Sequence, residues 1–114
     1  MSWTAVLLWA GIIFYLSSLS NFGLHPETDL VSLLAHTVEY ALLTILLMRA
    51  LTGEKLTARR AGWIAALLAL AYAGSDEYHQ SFVANRTPSA LDFLIDAAAI
   101  GTVVIAAIAR EQAD

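Results

Sequence analysis

Four long apolar segments, separated by short polar connections, dominate the pattern of this chain. The segments cover residues 3–19, 30–51, 61–82 and 89–109. Each is close to the roughly 20 residues with which an α-helix crosses about 30 Å of hydrocarbon. Short connections favour helices that run up and down beside their neighbours in sequence. The pattern predicts an all-α, integral membrane, up-and-down bundle of four transmembrane helices, with residues 1–114 as a single domain.

Composition supports a membrane location and excludes some classes of function. The chain is 59% hydrophobic and only 14% charged, and its mean hydropathy is +0.66. These values are far more apolar than those of a typical soluble domain. There is no cysteine, so neither a disulfide framework nor a thiol nucleophile is available. With a net charge of −4 and no basic patch, the chain is expected to contact membrane lipids and not nucleic acid.

Basic residues indicate how the helices are oriented. Arg49, Lys55, Arg59 and Arg60 lie in or beside the connection between the second and third helices, residues 52–60. The connection before the second helix has acidic residues but no Lys or Arg. The positive-inside rule then places residues 52–60 and both termini in the cytoplasm. Arg110 agrees with this orientation, whereas Arg86 lies on the opposite side.

Ionisable residues interrupt the last three helices at similar depths. They are His36 and Glu39 in the second helix, Asp76, Glu77 and His79 in the third, and Asp92 and Asp96 in the fourth. At 1.5 Å per residue, they lie roughly 5–13 Å from the outer ends of their helices. Each such group costs roughly 2.5–3.5 kcal/mol at membrane depth unless it is partnered or hydrated. We therefore expect these residues to converge on a pocket that opens to the outer face.

Helical spacing gives each of these helices one polar stripe. The matched pairs are His36 with Glu39, Asp76 with His79 and Gln80, and Asp92 with Asp96. Glu77 lies about 100° around the helix from Asp76, so it needs a different partner. Arg86 and a group on the second helix are both candidates for that partner.

The residue types in this pocket suit acid–base chemistry on an anionic substrate. Histidine side chains in general can gain or lose a proton near neutral pH, so His36 or His79 is a candidate general acid or base, with Asp76 or Glu39 orienting the imidazole. The Arg86 guanidinium offers a bidentate fork for phosphate. Carboxylates in the cluster could also hold a divalent cation that bridges to phosphate oxygens. We assign catalysis to His36, Glu39, Asp76, Glu77 and His79, and substrate binding to Tyr40, Gln80, Arg86, Asp92 and Asp96.

Most of the chain also resembles the VanZ-like family of membrane proteins. The residues that match the family pattern are Ser17-Ser18, His36-x-x-Glu39-Tyr40, Ser75-Asp76-Glu77-Tyr78-His79-Gln80, Phe82, Arg86, Asp92 and Gly101. The chain departs from it at Ser32-Leu33, where the family often has an Asp-Lys pair, and at Asp96, where Asn is common. The resemblance implies a multi-pass cell-envelope protein of a bacterial or archaeal plasma membrane, related to one linked to resistance against the glycopeptide teicoplanin. It implies no particular reaction.

Three classes of function are compatible with these residues. The first is an enzyme that acts on an anionic lipid-linked substrate, such as a lipid phosphate or an undecaprenyl-linked glycan, at the outer leaflet. The second is a protein that binds a lipid or antibiotic target without turnover, and the third is a small proton or cation carrier. In a structural reading, His36 and Glu39 only join the second helix to a neighbour. A small bundle is also compatible with a homodimer, although nothing in the sequence specifies one.

The predicted orientation can be tested with a single cysteine placed near Thr57, since the chain has none of its own. We expect this cysteine to resist a membrane-impermeant maleimide added outside intact cells and to react after lysis. Labelling before lysis would place the ionisable residues in the cytoplasmic half.

Overall fold

The protein is described by a computed structural model, which covers residues 2–18, 30–82 and 90–113. These ranges contain four α-helices and no strand: α1 Ser2–Ser18, α2 Leu30–Gly53, α3 Ala58–Gln80 and α4 Ala90–Ala113. The prediction of an all-α protein with four helices is confirmed. Residues 19–29, which precede α2, and residues 83–89, which precede α4, lie outside the described residues.

The connection between α2 and α3 is shorter than predicted. Arg59 and Arg60 were expected in the loop, but they lie in the first turn of α3. The reason is Thr57, whose hydroxyl accepts a hydrogen bond from the backbone N–H of Arg60 at 3.2 Å and so caps the helix. Lys55 turns the chain with a φ of 68°, in the left-handed region. Glu54 is exposed and has no capping role, so it is the better position for the cysteine of the labelling test.

Three of the helices form a mutually packed core. α2, α3 and α4 each contact the other two, and α1 lies against α2 and α3. Residues near the start of α2 meet residues near the end of α3, as in the contact between Tyr40 and Asp76. The start of α3 meets the end of α4, where Gly62 faces Val104. These contacts give antiparallel α2–α3 and α3–α4 pairs, as an up-and-down bundle requires.

α1 is attached to the core by a narrow face. Val6 and Ile13, two turns apart, are buried, and Trp9 lies between them. The Trp9 indole N–H donates to the backbone oxygen of Glu39 at 2.9 Å. The Tyr72 hydroxyl donates to the backbone oxygen of Ala10. Both bonds use a polar atom at the edge of an aromatic side chain, which is how buried Trp and Tyr are usually satisfied.

α3 presents a stripe of small residues to the core. Its buried members are Ala58, Ala61, Ala65, Ala69 and Ala73. Small side chains let neighbouring helices approach closely, a common device in membrane helix packing. The closest approach is at Gly62, where an added Cβ would lie 2.8 Å from Cγ1 of Val104 and 3.3 Å from Cδ1 of Ile108. α3 and α4 can therefore pack this tightly only because residue 62 has no side chain.

The outer surface of the bundle is strongly apolar. Large side chains such as Leu7, Trp63, Leu67 and Ile105 are each more than 60% exposed. An exposed apolar surface of this extent indicates contact with hydrocarbon or another protein. Two segments, Leu34–Gly53 and Phe93–Gln112, are long and apolar enough to cross a membrane, while Trp3–Leu16 is a shorter apolar helix. The described helices thus include two candidate membrane spans.

The close approach at Gly62 predicts a specific loss of stability. Gly62→Ala should lower the free energy of unfolding by about 1–3 kcal/mol relative to Gly101→Ala, because the new methyl group overpacks the stiff, β-branched Val104. Gly101 is the matched control, since nothing lies within 4 Å of a Cβ added there and both changes gain the same helix propensity. Equilibrium unfolding in detergent measures the difference. Equal stabilities of the two variants would show that α3 and α4 can move apart at residue 62 without loss of stability.

Candidate functional site

A stripe of polar residues on α2 faces the interior of the bundle. His36, Tyr40 and Thr44 follow one another at four-residue intervals, and all three are buried. The neighbouring helices each bring a buried acid to this stripe, Asp76 from α3 and Asp96 from α4. We call His36, Tyr40, Asp76 and Asp96 the buried polar cluster. It joins the three core helices near the start of α2.

The first pair in the buried polar cluster links α2 to α4. His36 Nδ1 lies 3.0 Å from Oδ1 of Asp96, and the side chains are only 11% and 1% exposed. An ionised carboxylate can only accept a hydrogen bond, so a charged Asp96 would hold the proton of His36 on Nδ1. The sequence proposed Asp76 or Glu39 as the carboxylate that orients a histidine. In the structure Asp96 is the carboxylate that lies beside His36.

The second pair links α2 to α3. The Tyr40 hydroxyl donates to Oδ2 of Asp76 at 3.0 Å, and Tyr40 is completely buried. The rings of Tyr40 and His36 are nearly parallel, with centroids 6.4 Å apart. The Thr44 hydroxyl donates to the backbone oxygen of Tyr40 at 2.7 Å, so it is satisfied within α2. Each carboxylate of the cluster therefore has a hydrogen-bond partner on α2.

Three further predicted residues are half-buried and lie within three positions of a cluster residue in sequence: Glu39, Glu77 and His79. The His79 ring stacks on Phe14 of α1, with centroids 4.4 Å apart and planes inclined by 26°. Stacking of this kind fixes the plane of the imidazole and covers one of its faces. These three side chains reach the surface more than those of the cluster do.

The remaining predicted residues are not placed by the structure. Arg86 lies outside the described residues. Gln80 and Asp92 belong to α3 and α4, but their side chains fall outside the described set. In the described ranges no group of three or more His, Cys, Asp or Glu side chains could hold a metal ion. The candidate carboxylates for a divalent cation include Asp92, which that search did not reach.

Sequence reasoning missed the contribution of α1 to this region. Phe14 covers His79, and Trp9 attaches α1 beside Glu39. α1 has no charged residue, so its pattern alone gave no reason to place it against the polar side chains. Its aromatic residues were the available signal, because a buried Trp N–H has to find an acceptor.

The Tyr40–Asp76 hydrogen bond predicts a measurable loss of stability on deletion. Tyr40→Phe should lower the free energy of unfolding by about 1–3 kcal/mol, because it removes the donor and leaves a buried carboxylate with one partner fewer. Tyr15→Phe is the matched control, since Tyr15 is 64% exposed and should change stability by less than about 0.5 kcal/mol. Equilibrium unfolding of both variants tests this. A Tyr40→Phe protein as stable as the control would contradict the described contact.

Comparison with known proteins supports one assignment. No curated protein and no solved structure matches the chain. A sequence model of the VanZ/LLP1 family matches residues 2–110, which is nearly the whole chain and covers α1, α2, α3 and all but the last three residues of α4. The resemblance seen in the sequence is thereby confirmed, and the chain belongs to the VanZ/LLP1 family.

Proposed function

We propose that this protein is a multi-pass cell-envelope membrane protein whose polar residues bind, and act on, an anionic lipid-linked substrate at the outer leaflet. The observation that favours this is the buried polar cluster, to which three helices contribute, together with the half-buried Glu39, Glu77 and His79 around it. A purely structural role would need fewer ionisable groups than are collected here, since each is costly in an apolar bundle.

The proposal includes four membrane crossings. α2 and α4 contain the two candidate spans. α3 has a lower mean hydropathy because it includes Arg59 and Arg60 in its first turn and Asp76 and Glu77 near its end. Between these ends its outward residues, among them Trp63 and Leu67, are apolar and exposed. α1 is short, but its outward face is equally apolar, so hydrocarbon suits both helices.

His79 is the best candidate for proton transfer in this proposal. It is half-buried, and Phe14 holds its ring in place, whereas His36 is nearly closed off beside Asp96. A general acid or base has to reach the proton that it moves, so exposure favours His79. Glu39 and Glu77 are accessible enough to take part. The His36–Asp96 and Tyr40–Asp76 pairs would then hold the three core helices in register.

Charge balance sets a requirement for the proposed substrate. Four acids, Glu39, Asp76, Glu77 and Asp96, lie in or beside the cluster, so an anionic group needs positive charge close to it. Arg86 follows α3 in the sequence and could supply a bidentate contact to phosphate. A divalent cation held by carboxylates is the other source. A lipid phosphate or an undecaprenyl-linked glycan is compatible with either source of positive charge. The undecaprenyl-linked glycan would connect the site to glycopeptide resistance.

A second candidate is a binding protein without turnover. It is favoured by the completeness of the buried polar cluster, in which both described pairs are within hydrogen-bond distance and nearly inaccessible. Proton or cation transport is less favoured. Beyond Thr44 the described core residues of α2, namely Leu47, Met48, Ala50 and Leu51, are apolar and give no polar path towards the other end.

Turnover of lipid-linked phosphates in nanodiscs tests the enzymatic proposal. We expect product from at least one such substrate, and a decrease of about 100-fold or more in His79→Ala with substrate binding retained, because general acid–base catalysis contributes on that scale. His25→Ala is the matched control, since it removes an imidazole from the connection after α1. Binding without turnover of any substrate by the wild type would leave the second candidate. Unchanged turnover in His79→Ala would exclude His79 as the acid or base.

A further inference from the structure

A cavity lies at the opposite end of the bundle from the buried polar cluster. Its volume is about 640 Å³, and α2 and α4 form its walls. The first residue of α3, Ala58, closes one side. Leu43 and Thr44, buried on α2, lie between Tyr40 of the cluster and Ile45 of the cavity. The cavity is therefore a separate site and shares no lining residue with the cluster.

Its lining divides into an apolar and a basic part. Ile45 and Val103 lie towards the middle of the bundle, whereas Arg49 and Arg110 lie towards its end. From Ile45 to Thr52 the cavity follows α2 for roughly 10 Å, at 1.5 Å per residue. A ligand that suits this lining has one negatively charged end, and the rest of it is apolar. A free inorganic anion would leave the apolar half unused.

The charges around the cavity favour an anionic occupant. Arg49 and Arg110 are exposed, and within the described residues neither guanidinium is found in an ion pair. The acid in the lining, Glu111, accepts a hydrogen bond from the backbone N–H of Ala58 at 2.9 Å. That contact places its charge at the N-terminus of α3, where the helix dipole stabilises it. Two arginines thus face the cavity while its acid has a partner.

We propose that this cavity binds an anionic phospholipid of the leaflet that faces the α2–α3 connection. The headgroup phosphate lies between Arg49 and Arg110, and the start of an acyl chain follows Ile45 and Val103 between α2 and α4. Basic pockets between membrane helices bind acidic lipid headgroups in this manner. The inference rests on the proposed membrane location of the bundle and is independent of any reaction at the buried polar cluster.

Native mass spectrometry of the detergent-purified protein, with equimolar phosphatidylglycerol and phosphatidylcholine, tests the site. We expect the wild type to retain phosphatidylglycerol preferentially. The Arg49→Gln/Arg110→Gln protein should lose that preference by about 25-fold, since each basic contact contributes about fivefold. Arg59→Gln/Arg60→Gln is the matched control, because it removes two exposed charges at the same end that do not line the cavity. The control should stay within about twofold of the wild type.

Two further variants separate the possible causes of a lost lipid preference. Arg49→Lys/Arg110→Lys keeps both charges and should retain most of the preference, which separates loss of charge from misfolding. Ala107→Leu fills the apolar half of the cavity and should reduce phosphatidylglycerol retention with all charges intact. Equal losses in the two Gln double variants, or no preference in the wild type, would overturn the proposal. Displacement of the lipid by millimolar glycerol phosphate would do the same, because it would indicate a free-anion site. None of these three results would bear on turnover at His79.

Discussion

Two carboxylates in an apolar bundle set the main constraint on this structure. Asp76 and Asp96 are almost fully buried, and a buried acid without a hydrogen-bond partner would cost more than a small bundle can tolerate. The Tyr40 hydroxyl contacts Asp76, and the His36 imidazole contacts Asp96. Tyr40 and His36 lie one turn apart on α2. Both contacts require α3 and α4 to lie close to α2. Hydrogen-bonding both acids therefore sets the register of the three core helices.

Close packing of the helices makes these two hydrogen bonds possible. The small residues of α3 bring its backbone near α2 and α4, and Gly62 allows contact with Val104 at the other end. The departure from the common family pattern occurs inside this arrangement. Asp96, a position where the sequence departs from the family resemblance, is the residue in contact with His36. An amide could donate to or accept from the imidazole, whereas an ionised carboxylate only accepts, so a charged Asp96 would fix the proton of His36 on Nδ1.

Much of the arrangement was predictable from the order of residues along the chain. Long apolar segments gave the four helices, and the equal depth of the ionisable residues indicated that α2, α3 and α4 would share a polar region. Pairing was not predictable, because periodicity fixes the face of each helix but not the partner across the interface. For His36 several acids at similar depth were equivalent until packing selected Asp96. The basic cavity was missed because Arg49 and Arg110 were interpreted only as signals of orientation.

The attachment of α1 has a consequence for how the chain assembles. Synthesis proceeds from the N-terminus, so α1 is made before every residue that it contacts. Its hydrogen bonds go to Glu39 and from Tyr72, which lie 30 and 62 residues from their α1 partners, and His79, which stacks on Phe14, comes later still. α1 therefore has none of these partners until α2 and α3 have been made. Its outward leucines and aromatic residues suit contact with hydrocarbon during that interval.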